Sequence, residues 1–149
     1  MGMTRQSFRI LGLVVAVTLP GCTHASPPAP SGQSSADTLS RNLRAQGLAV
    51  TRNGTAPADA FPFFTVRAAR LVVSGEDVNV FEYATAGLAA TDAAKVSPSG
   101  SPIGTSQITW ISMPRFYRKD QLIVIYVGSN VTVVRALETV MGKPFAGAP

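Results

Sequence analysis

The period of the hydrophobic positions changes several times along the chain, and each change marks an element. Residues 10–19 are apolar almost without a break, whereas Thr23 to Ser35 show no period. Leu39 and Leu43 then fall on one helical face and predict a helix over Asp37 to Gln46, with Ser35 or Asp37 as N-cap and Gly47 placed to end it. Leu48 to Arg52 alternate as a strand, leaving Arg41, Arg44 and Arg52 in water, and Asn53-Gly54 supplies a turn. Arg67 to Val73 and Val78 to Ala84 read as a hairpin joined by Ser74-Gly75-Glu76-Asp77. In its second strand Asn79, Phe81 and Tyr83 share one face and Val78, Val80 and Glu82 the other. With apolar groups on both faces, that strand belongs inside a sheet.

Thr85 can cap an alanine-rich helix running to Val96, after which Ser97 to Pro102 break the pattern with a loop, where a gap in the packing is expected. Gln107 to Met113 read as a strand with Ile108 and Trp110 on one side, ended by Pro114. Arg115 to Asp120 then form a second hairpin tip leading into Leu122 to Val127, apolar on both faces and rich in β-branched residues. Gly128-Ser129-Asn130 turns the chain into a closing helix whose stripe is Val133, Val134, Leu137, Val140 and Met141; Gly142 and Pro144 stop it. The aromatic patch Phe61-Pro62-Phe63-Phe64 packs onto the core from an edge or loop, because Pro62 keeps it from a central strand; the alternative is an exposed ligand slot. Short hairpin loops and three amphipathic helices predict an α+β fold: a single antiparallel sheet of about five strands with helices packed mainly on one face.

Composition narrows the function more than it names it. The 149 residues are 46% hydrophobic and 14% charged, which suits one folded domain with its own core. The formal charge of +5 falls to 11 basic against 8 acidic residues once Arg5 and Arg9 are removed with the N-terminus, too little to point to nucleic acid. Cys22 is the only cysteine and His24 the only histidine, so the domain beyond them holds no disulfide, no thiol or histidine nucleophile pair and no histidine metal site. No metal and no cofactor is expected.

Three readings of the remaining chemistry stand side by side. Among the acids, Glu76, Asp77 and Asp120 lie at predicted hairpin tips, and Asp92 and Glu138 on outer helix faces. Glu82, between Phe81 and Tyr83, is in an odd place for a charge: it is either the functional acid of a carboxylate-dependent hydrolase or a structural acid paired with an arginine at the sheet edge. Arg115, Phe116, Tyr117, Arg118 and Lys119 gather three cations beside two aromatics, which is either a surface for anionic headgroups or a solvated hairpin tip. The third reading makes the domain a non-enzymatic module that binds an envelope protein or a small ligand.

The N-terminus carries the most specific pattern. Arg5 and Arg9, the apolar run from Ile10 and Leu19-Pro20-Gly21-Cys22 have the parts of a secretory signal, and the run is too short for the roughly 17–25 residues that span a bilayer. The ending resembles the lipobox of bacterial lipoproteins. That resemblance implies removal of residues 1–21 and acylation of Cys22 (diacylglycerol on the thiol, with palmitate-type chains). Residues 22–35 would then be a Pro/Ser tether and 36–149 one domain. It also implies an exported protein, held by lipid on the outer side of the cytoplasmic membrane or, since Thr23 rather than aspartate follows the cysteine, in the outer membrane. An ordinary secretory signal cut nearby would instead leave Cys22 as an odd thiol. The domain, through Val78 to Tyr83 and Ile123 to Gly128, is similar to small bacterial envelope lipoproteins, a likeness that brings no activity with it.

Overall fold

Helix α1, Ser35–Ala45, starts where the Ser34 hydroxyl accepts the Asp37 N–H, and it ends in a Schellman turn: Gly47 takes φ +85°, its N–H meets Arg44 O, and Leu48 N–H meets Leu43 O. The last two residues of the expected tether therefore belong to the fold. The computed structural model describes residues 34–148; the signal, the rest of the tether, Cys22 and His24 lie outside the described residues. The described residues form one compact unit with a core on each face of one sheet.

The further elements are β1 Val50–Thr55, β2 Ala68–Val73, β3 Glu76–Glu82, α2 Ala86–Ala93, β4 Pro114–Lys119, β5 Leu122–Val127, α3 Val131–Met141 and β6 Ala146–Gly147. The strands make one antiparallel sheet in the order β1-β2-β3-β5-β4-β6. The α+β class holds, with six strands where about five were expected, the sixth being the two-residue β6.

Side chains alternate across this sheet with period two and build two cores. On one face Leu71, Val73, Val78, Val80, Leu122, Val124 and Tyr126 pack under Leu39 and Leu43 of α1 and Val133, Leu137 and Val140 of α3. On the other Phe81, Tyr83, Phe116, Ile123 and Ile125 pack under Ala89 and Ala93 of α2 and under the irregular segments carrying Phe64 and Ile103. Every residue of β5 from Leu122 to Tyr126 is buried, so the most apolar run is the best covered.

Four local expectations are corrected. Asn53-Gly54 is not a hairpin turn: both residues face Arg70 as a bulge inside β1, and Gly54 at φ +71° absorbs the extra residue while the pairing resumes at Thr55. The β2–β3 connection is a two-residue turn at Ser74-Gly75, both at positive φ, because Glu76 already pairs with Val73. Residues 107–113 form no strand. The loop expected to leave a gap is packed closely at Gly100, where an added Cβ would meet Phe116 at 2.9 Å and Pro114 at 3.2 Å, while Pro98, Ser99 and Pro102 are exposed.

Candidate functional site

Glu82 closes β3 on the α1 face, and its position explains its charge. Its Oε1 accepts the Ser35 backbone N–H at 2.5 Å, while Gln121 in the β4–β5 turn donates from Nε2 to the Ser35 hydroxyl at 2.7 Å. The expected arginine partner is replaced by a helix N-terminus, where unpaired N–H groups and the helix dipole both favour a carboxylate. The end of β3 and the β4–β5 turn thus grip the first residue of α1. Glu82→Ala is expected to lower stability by only about 1 kcal/mol, since the bond is half exposed. Amide exchange should speed up at Ser35 to Asp37 and leave the sheet unchanged; equal acceleration in β5 would contradict this local role.

The segment Arg115 to Lys119 is not a hairpin tip but strand β4 itself, the tip being Asp120-Gln121. Alternation sends Phe116 into one core and Tyr117 into the other, both fully buried. The Arg115 guanidinium donates to Gly128 O at 2.8 Å, and Lys119 Nζ to Val140 O at 2.7 Å, where a cation suits the carbonyl end of α3. Burial pushes the Tyr117 hydroxyl up to about 12, the Glu138 charge adding to it. The five residues do not share a surface; Arg118 and Lys119 alone of them are exposed.

The acid with the densest surroundings is Asp92, expected on an outer face and found 1% exposed. Its Oδ2 accepts the Thr65 N–H at 2.7 Å, the Thr65 hydroxyl at 2.8 Å and the Tyr83 hydroxyl at 3.0 Å, and Lys95 Nζ lies 2.5 Å from Oδ1. Burial alone would push this carboxyl up. Lys95, the two Thr65 donors and Tyr83 outweigh it and hold the carboxyl below its ordinary value. Burial, with the Asp92 carboxylate beside it, pushes the Tyr83 hydroxyl far up, so it stays a donor. The signal was in the sequence: Ala89, Asp92, Ala93 and Val96 are spaced as one buried stripe, and all four are buried.

Two cavities bear on binding. A groove of about 290 Å3 runs between α1 and α3 at the end of the sheet where α1 begins; Leu39, Leu122, Val140 and Met141 make it apolar, and Thr38, Asn42 and Lys119 are among its polar residues. A second basin, of about 430 Å3, lies between α1 and β1, lined by Asp37, Ser40, Arg41, Arg44 and Arg52. The aromatic patch is core in the main: Phe64 is buried, and Phe61 and Phe63 are half-buried around Phe81. Among the described residues no three His, Cys, Asp or Glu side chains gather as metal ligands, and no helix is long and apolar enough to cross a membrane. Comparison with protein-family models, with curated proteins and with solved structures finds no match to this chain.

Proposed function

We propose that this is a lipid-tethered envelope protein, exported and acylated on Cys22, whose α+β domain is a non-enzymatic module for a partner or small ligand. The observation that carries the anchor is Leu19-Pro20-Gly21-Cys22 closing a ten-residue apolar run behind Arg5 and Arg9. The binding reading is supported by what the acids do: Glu82 holds a helix N-terminus and Asp92 is saturated by structural donors. The α1–α3 groove is the cavity whose apolar walls and polar members suit a small amphipathic ligand. Two acyl chains hold a protein on a bilayer stably, where one chain binds only marginally.

Mass spectrometry of the protein from washed membranes is expected to find Cys22 as the first residue, carrying a diacylglycerol. Cys22→Ser should abolish incorporation of labelled palmitate altogether. An unmodified Cys22 thiol, a retained upstream peptide, or labelling that survives the substitution would each overturn the anchor.

A further inference from the structure

Three guanidinium groups from two elements line one basin at the rim of the sheet. Arg41 and Arg44 project from α1, Arg52 from β1, and β1 is the outermost strand. Each arginine is steadied by one polar contact. Arg44 donates from Nε and Nη2 to Val50 O at 3.2 and 2.7 Å, Arg41 from Nη2 to Thr38 Oγ1 at 3.1 Å, and Arg52 from Nη2 to Asp37 Oδ1 at 2.8 Å. A guanidinium has five N–H donors, so these bonds orient the groups and leave most of their donors for an acceptor in the basin. Asp37 is the one acid in the lining, against three cations. Planar forks gathered on one rim with an excess of positive charge match the oxygens of a phosphate group.

We propose that this basin takes the phosphate of an anionic lipid headgroup, so that the domain lies with its α1–β1 rim on the bilayer. The place of the basin favours a lipid source. Its lining begins in the first turn of α1, and Cys22 is only twelve residues before Ser34. A linker of that length reaches roughly 20–40 Å, which would keep the basin at high effective concentration over the membrane to which Cys22 is tied. The argument from proximity rests on the proposed anchor; the headgroup site itself does not.

The test therefore uses residues 22–149 with Cys22→Ser, which removes the lipid and keeps the compact unit. Vesicles of equal phosphatidylglycerol and phosphatidylcholine should bind this protein, more weakly as salt rises, and pure phosphatidylcholine vesicles should not. Each cation near such a surface contributes about fivefold to affinity, so Arg41→Gln with Arg52→Gln should weaken binding at least tenfold. Arg118→Gln with Arg135→Gln removes the same charge elsewhere and should stay within about twofold, all variants being matched by thermal melting. Equal losses in both double variants would reduce the effect to net charge and overturn the site. So would absence of vesicle binding by the parent, or binding of inorganic phosphate alone. Failure here leaves the Cys22 anchor standing, because its readout is the mass of the amino terminus.

Discussion

Asp92→Ala is expected to lower the unfolding free energy by about 3 kcal/mol, the lower end of what breaking a buried, hydrogen-bonded ion pair costs. The lower end applies because the Lys95 side chain is 37% exposed and can return to water. What cannot return is the hydroxyl of Tyr83, a residue only 2% exposed, which the substitution leaves without its acceptor at a cost of about 1–3 kcal/mol. The Thr65 N–H loses the same acceptor. Asp92 joins α2 to Tyr83, just past the end of β3, and to Thr65, 27 residues away in the segment leading into β2. Urea unfolding followed by circular dichroism measures the loss, and a change below about 0.5 kcal/mol, the size of an ordinary surface substitution, would show that the network is dispensable.

Acid gives the same group a second readout. Because the folded carboxyl is held below its ordinary value, Asp92 stabilises the fold at pH values above the unfolded carboxylate range, about 3.9. That contribution is lost as pH falls through the folded value. Asp92→Asn removes the ionisation, so the gap between wild type and variant should be widest near neutrality and close below about pH 4. A gap independent of pH would mean that shape, and not charge, matters at this position.

Where local chemistry and tertiary context agree, the chain could be read directly. The Leu39/Leu43 and Val133/Leu137/Val140 stripes, the cap at Thr85 and the burial of Leu122 to Tyr126 all follow from period and propensity. Context overrode them elsewhere. Pro114 reads as the end of a strand and is the first residue of one, a position where its missing N–H is harmless, and from that single misplacement Arg115 to Lys119 became a tip. Residues 107–113 alternate like a strand because Ile108 and Trp110 drop onto the core. The Ile108 backbone is bonded to a side chain and not to a ladder: Ser101 Oγ meets both its N–H and its carbonyl, and the Trp110 indole holds the segment by donating from Nε1 to Gly100 O. The arginine basin was legible only as three wet residues. Their convergence depends on β1 lying beside α1, a non-local fact that no spacing along the chain contains.

Phe81→Ala is expected to be the most damaging single truncation, at about 3–5 kcal/mol, the cost of removing a fully buried aromatic ring together with the cavity it leaves. Phe81 has no exposed surface and lies on an interior strand, so backbone shifts that would close the cavity are resisted by β2 on one side and β5 on the other. Its ring meets Phe61 edge-on at 5.2 Å and Phe64 at 4.8 Å, and those two rings help fasten the irregular segment before β2 to the sheet, beside the Thr65–Asp92 bonds. The loss should therefore have a local signature as well as a global one: limited proteolysis should cut near Phe61 to Phe64 before the sheet unfolds. Phe63→Ala, at a half-buried ring paired with Phe61 and Phe64, should cost only about 1–2 kcal/mol and leave the cleavage pattern close to wild type. If Phe81→Leu, which refills most of the volume, restores less than half of the stability lost in Phe81→Ala, the deficit lies in the edge-to-face contacts and not in the cavity; equal costs for Phe63→Ala and Phe81→Ala would refute the assignment of Phe81 as the anchor of this core.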